Sequence, residues 1–218
     1  MPSIYSSQQR ALQDQFDTRR IADFIEGGLV HQIVSLEEKG FIESRDLFFL
    51  STVDAQGQPS VSHKGGAPGF VRVEDDNSIV FPCYDGNGMF LSMGNIAASA
   101  KVGLLFIDFE TPHRLRVQGT ASIAANHALQ PQHPEALFMV RVVPTQIFIN
   151  CPRYVHKRAK AEPSKYVPQK GQPTPVPGWK RIDIVQGALP ACDQGKAVAA
   201  GGLLTLAQYE ASVMRGEG

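Results

Sequence analysis

Along the first forty residues, apolar positions recur at helical spacing. Leu12 and Phe16 stand four apart, and Leu29, Val30, Ile33, Val34 and Leu36 form a stripe that predicts a second helical run. Gly27-Gly28 separates the two runs, and Glu37-Glu38-Lys39 before Gly40 reads as a helix end with a glycine cap. From residue 47 the period changes. Leu47–Val53 predicts a strand apolar on both faces, Asp54-Ala55-Gln56-Gly57 a turn, and Pro59–Lys64 a second strand. Phe70–Val73 and Ser78–Phe81 flank the turn Asp75-Asp76-Asn77. Residues 89–98 read as a helix with Phe90, Met93, Ile96 and Ala97 on one side. Strands return at Val102–Phe109 and Arg114–Ile123. A last pair, Leu137–Val143 and Gln146–Asn150, is interrupted by Pro144, which predicts a bulge or an edge position.

The count is six or seven short strands with one helix inserted midway. A parallel α/β sheet would need a helix after nearly every strand, so the pattern predicts a mainly β protein with flanking helices and a closed or half-closed antiparallel barrel. The chain of 218 residues reads as a single domain, with N-terminal helices over 6–40, the barrel core over 41–150 and a Pro-rich C-terminal arm over 151–218. Five prolines between 163 and 178 predict an extended wrapping arm anchored by Trp179, and residues 203–214 a short terminal helix.

Composition narrows the classes. Lys plus Arg number 21 and Asp plus Glu 21, which removes the usual electrostatic reason to expect a nucleic acid or an anionic membrane as partner. The three cysteines, Cys83, Cys151 and Cys192, are scattered and form no C-x-x-C, so neither a disulfide framework nor a zinc site is expected. With no signal-like segment and no apolar run near the roughly 18 residues of a membrane span, a cytoplasmic protein is expected. Metalloprotease, Walker, dinucleotide-fold and nucleophile-elbow motifs are absent, and the six histidines show no metal-ligand spacing.

What remains is polar strand faces and glycine loops. Alternation puts Ser60, Ser62 and Lys64 on one side of their strand and Val61 and His63 on the other. In the strand 114–123, Leu115, Val117, Ala121 and Ile123 face the core, while Arg114, Arg116, Gln118, Thr120 and Ser122 face away. Arg114 and Arg116 stand about 7 Å apart, close enough to clasp a phosphate or carboxylate. Asp85-Gly86-Asn87-Gly88 leads into a helix whose first turns hold Ser92 and Asn95, an arrangement that suits an anion but also an ordinary cap. The glycine-rich Lys64–Phe70 loop offers bare backbone to a planar ring, or makes a sharp corner.

Three ordered blocks carry a resemblance: FIESRDLFFLSTVDAQGQPSVSHKGGAPGFV, FPCYDGNGMFLSMGNIAASAKVGLLFIDF and HRLRVQGTA. Over roughly residues 41–124 the chain resembles the pyridoxamine 5'-phosphate oxidase-like family of FMN-binding split barrels, and CPRYVHKR at 151–158 resembles the segment after the barrel in one bacterial branch. The resemblance implies a homodimer with FMN in the cleft between subunits and a small-molecule substrate. It implies cofactor contacts from Ser60, Ser62, His63, Lys64, Gly65, Asp85, Asn87, Gly88, Ser92, Asn95, Arg114 and Arg116. Asn87 and Gly88 fall where the oxidase proper has an Arg-Lys pair for phosphate, so Arg114 and Arg116 are expected to supply the charge. The arginine-rich C-terminal stretch of the oxidase proper is also missing. Tyr84, Arg153 and Tyr154 are expected to touch substrate or the partner subunit. The expected function is an FMN-dependent oxidoreductase; the alternatives are a flavin carrier or sensor, or a split barrel that uses haem or a deazaflavin.

Overall fold

A computed structural model describes residues 3–159 and 161–217. Its contacts gather into two compact units, residues 1–162 and 163–218.

In the first unit, helices α1 (Ser7–Gln15), α2 (Arg19–Gly28) and α3 (Leu36–Glu43) precede seven strands. The strands are β1 (Leu47–Val53), β2 (Pro59–Gly65), β3 (Arg72–Val73), β4 (Ile79–Tyr84), β5 (Lys101–Asp108), β6 (His113–Ala124) and β7 (Ala136–Ile149). One inserted helix, α4 (Leu91–Ser99), lies between β4 and β5. All pairings are antiparallel, in the order β2-β1-β5-β6-β7-β4-β3. Four strand spacings separate β1 from β4, about 19 Å in a flat sheet. Yet the Phe48 ring on β1 lies 4.9 Å from that of Phe81 on β4. The sheet is therefore rolled upon its core and left open between β2 and β3: a split barrel. Phe48 also meets Phe70 and Phe106, and this aromatic cluster is fully or nearly fully buried.

Four details depart from the sequence pattern. The stripe from Leu29 to Leu36 is not helical: α2 ends at Gly28, and His31 pairs with Ile147 of β7 through both backbone bonds. Glu37-Glu38-Lys39 opens α3 instead of closing a helix. The Ser35 hydroxyl accepts from the Glu38 amide while the Glu38 carboxylate accepts from that of Ser35, a capping box. The last two apolar runs are one strand, β7, bulged where Gly119 of β6 faces Pro144. A Cβ on Gly119 would stand 2.5 Å from the Val143 carbonyl oxygen, so only glycine closes that bulge. Beyond the bulge Ile123, expected in the core, is exposed.

The second unit is built of 3-10 turns at Gly178–Arg181, Asp183–Ala188 and Ala191–Asp193, with helices α5 (Lys196–Ala199) and α6 (Leu206–Met214). Its buried apolar residues are Ile182, Leu189 and Ala197, and it also buries an ion pair, Lys180 Nζ to Asp193 Oδ2 at 2.7 Å. Residues 163–177 run as turns and extended chain before this body.

Candidate functional site

The opening of the barrel holds a groove of about 410 Å³, within the range of small-molecule sites. The inward face of β2 supplies Ser60, Ser62 and Lys64, the end of β4 supplies Cys83 and Tyr84, and the loop 86–90 with the start of α4 completes it. Register explains which β2 residues arrive. Ser60, Ser62 and Lys64 pair with Thr52, Leu50 and Phe48, the buried set of β1, so they share its inward face. Because β2 is an edge strand, that face is left uncovered at the opening.

Hydroxyls tie the walls together. Ser62 Oγ lies 3.1 Å from Ser92 Oγ, linking β2 to α4. Asn95 Nδ2 donates to Thr52 Oγ1 at 3.0 Å, which in turn lies 3.3 Å from Ser60 Oγ. Asn95 is thus a buried strut behind the groove, not part of its lining. On the far side, Asn87 Oδ1 accepts the Met89 amide at 3.1 Å, and Gly88 (φ +77°) and Phe90 (φ +48°) bend the chain into α4. No carboxylate occupies the first turn of that helix. Met89, Phe90 and Leu91 give the groove an exposed apolar rim.

Lys64 is the charged centre. It is half-buried and makes no ion pair among the described residues. Burial pushes its ammonium below the ordinary lysine range, against a smaller opposing influence of Cys83. Burial likewise pushes the Cys83 thiol up, with Lys64 drawing it back, and raises the Tyr84 phenol, with Glu135 adding to the effect. A desolvated cation with hydroxyls and freed backbone beside it is chemically suited to a phosphate.

The other expected residues lie elsewhere. His63 pairs through Phe49 and Leu105 to Arg116, a single row across β2, β1, β5 and β6 on the outward face. Arg116 therefore stands three strand spacings, about 14 Å, from β2 and on the opposite side of the sheet from Lys64. It borders a shallow outer hollow of about 230 Å³ with Phe49, Ser51 and Val61. Arg114 shares that face, and its buried Nε has no hydrogen-bond partner. Gly65 and Asp85 are not among the groove's lining residues. Gly66 does not present bare backbone to a ligand: a Cβ there would fall 2.5 Å from the Phe70 ring, so this glycine serves close internal packing. Arg153 and Tyr154 are exposed in the segment after β7 and do not line the groove. Cys83 and the rim residues Met89 and Leu91 carried no sequence signal. Ile79–Pro82 is buried at every position, so alternation could not show which way Cys83 points.

Among the described residues no group of acidic, histidine or cysteine side chains could hold a metal, and no helix is long and apolar enough to cross a membrane. The first unit is thus an open antiparallel barrel with a hydroxyl-lined groove, centred on Lys64, at its split. The match of a family model described as pyridoxamine 5'-phosphate oxidase to residues 36–151 makes the assignment: the chain belongs to that family. None of the curated proteins matches it. Among solved structures it is similar to HupZ of Group A Streptococcus, with 22% identity over 57% of this chain and 99% of that one, at a TM-score of 0.43. It is also similar to HutZ, the haem storage protein of Vibrio cholerae (20% identity, 54% and 94%, TM-score 0.39), and to a FAD-binding protein of Mesorhizobium loti (17%, 56% and 96%, TM-score 0.40).

Proposed function

We propose that the groove binds FMN and that the chain is a homodimeric FMN-dependent oxidoreductase acting on a small molecule. The observation that carries this reading is Lys64, a half-buried ammonium with no anion of its own among the described residues, beside the hydroxyls of Ser60, Ser62 and Ser92. Lys64 neutralises the phosphate, the serine hydroxyls and the amides of residues 86–88 donate to its oxygens, and the rim of Met89, Phe90 and Leu91 excludes water from the ring. Tyr84 lines the groove, and its phenol, pushed up by burial, is available there as a hydrogen-bond donor. FMN supplies the redox chemistry when bound.

Arg114 and Arg116 cannot reach this groove within their own chain, because the sheet lies between. In the proposed dimer they belong to the groove of the partner subunit, where the unsatisfied Nε of Arg114 finds its acceptor. Titration of apo protein with FMN, followed by flavin fluorescence, tests the assignment. Lys64→Ala is expected to weaken binding at least about tenfold, the scale of one lost charge-assisted hydrogen bond. Unchanged affinity would refute the phosphate site. The absorption spectrum of purified protein separates the cofactors: a band near about 450 nm supports flavin, one near about 400 nm haem. Bleaching by NADH or NADPH with reoxidation by an added acceptor separates an enzyme from a carrier.

A further inference from the structure

The C-terminal unit holds a larger cavity, of about 810 Å³, which the flavin reading does not use. The extended arm contributes Lys165, the 3-10 turn Arg181, α5 Lys196 and the end of α6 Arg215; among the described residues the single carboxylate on its lining is Glu217. Four cations around one void repel each other unless anions answer them. Two are answered from within. Lys196 Nζ sits 3.0 Å from Asp193 Oδ1, and Arg215 forks onto Glu217 Oε2 through Nε at 3.0 Å and Nη2 at 2.8 Å. Two are not. Among the described residues Arg181 uses only Nε, which donates to the Gly202 carbonyl at 2.9 Å, and pairs with no carboxylate. Lys165 has the Glu217 main-chain carbonyl at 3.3 Å and the Tyr166 ring at 5.0 Å, and it feels the Glu217 carboxylate, already held by Arg215, only through space.

The unanswered guanidinium is held in position. The backbone of Arg181 accepts the Leu204 amide at 2.9 Å, and Leu204 in turn accepts that of Asp183 at 2.9 Å, a short parallel bridge. The cavity wall behind it is equally fixed. A Cβ on Gly178 would meet the Tyr209 ring of α6 at 3.2 Å, so the 3-10 turn and the helix are in close contact. A half-buried fork on rigid backbone, with apolar lining from Val176 and Leu204 beside it, is a receptor for a planar anion attached to an apolar body.

We propose that this cavity is a second binding site, independent of the flavin groove, for a small organic anion whose carboxylate or phosphate is clasped by Arg181 and covered by Lys165. Two probes of one shape test it on the full chain: benzoate and phenyl phosphate, titrated while backbone amide resonances are followed by NMR. Saturable shifts among residues 165–217 are expected for at least one probe. Binding of benzoate alone would assign a carboxylate ligand, of phenyl phosphate alone a phosphate, and of both a site for either. Shifts confined to residues 60–92 would report the flavin groove only and overturn the proposal, as would no saturable shift. Arg181→Gln should weaken the bound probe at least about tenfold, and Arg181→Lys, which keeps the charge without the fork, by less. Lys165→Ala, an exposed change away from the small core, provides a folded variant should Arg181→Gln disrupt the unit; wild-type affinity in both Lys165→Ala and Arg181→Lys would refute the clasp.

Discussion

At Lys64 an ammonium has lost much of its hydration without gaining an anion, which makes its proton easier to remove. Phosphate binding favours the protonated form, so FMN affinity should be full near neutrality and fall as pH rises through the lowered Lys64 value. The fall should begin below the ordinary lysine range of about 10.4. Fluorescence titrations from pH 7 to 10 would show it, and a Lys64→Arg variant should hold its affinity flat across that range. Asp76 illustrates the opposite direction. The Ser78 hydroxyl and amide, then the Arg141 guanidinium, hold its carboxyl down at about 2. A group lowered on folding stabilises the native state above its unfolded value of about 3.9, and that contribution disappears as pH falls towards 2. Urea denaturation across this interval should show Asp76→Asn less stable at neutral pH and converging with wild type in acid. A constant gap between the two curves would contradict the assigned shift.

Among the elements, the β6–β7 pair depends on one residue without a side chain. Gly119→Ala drives a methyl into the Val143 carbonyl at the bulge and should cost about 1–3 kcal/mol, seen as a lower denaturation midpoint at unchanged slope. An unaltered midpoint would mean that the two strands do not meet there. The element scale also shows how far local pattern can be read. Local pattern located β1, β2, β5 and β6 to within a residue or two, β2 and β6 by alternation and β1 and β5 as short continuous apolar runs. Pro144 correctly marked a bulge, but its place opposite Gly119 is a cross-strand fact. The Leu29–Leu36 stripe misled for a comparable reason. A backbone pairing between His31 and Ile147, 116 positions apart in the chain, outweighs the weak helical preference of a segment rich in valine and isoleucine.

For the whole molecule, the decisive geometry is that Lys64 and Arg116 lie on opposite faces of one sheet. If each flavin site takes Lys64 from one chain and Arg116 from the other, Lys64→Ala and Arg116→Ala homodimers are both impaired. Unfolding and refolding the two variants together should then restore FMN binding, since each mixed dimer regains one intact site of its two. Recovery absent from the mixture while sedimentation shows mixed dimers would refute a shared site; a monomeric wild-type protein would refute the dimer itself. The two compact units bear on where binding is expected. The flavin groove lies wholly within residues 60–93 and the anion cavity within 165–217, so each can be titrated against its own variants.

Sequence alone determined the elements that local physics controls: strands with period two, the helix inserted before β5, the alternation that put Ser60, Ser62 and Lys64 on a common side, and the family resemblance. Those are properties of neighbouring residues, and neighbouring residues are what a linear pattern records. Tertiary structure alone decided that the sheet rolls until Phe48 meets Phe81, that its opening falls between β2 and β3, and that Cys83 and Tyr84 close a groove begun by β2. It also decided that the arginines lie behind that groove and not within it. Strand order and sheet curvature set these relations through contacts between residues far apart in the chain, and no local periodicity encodes which strand will be at the edge.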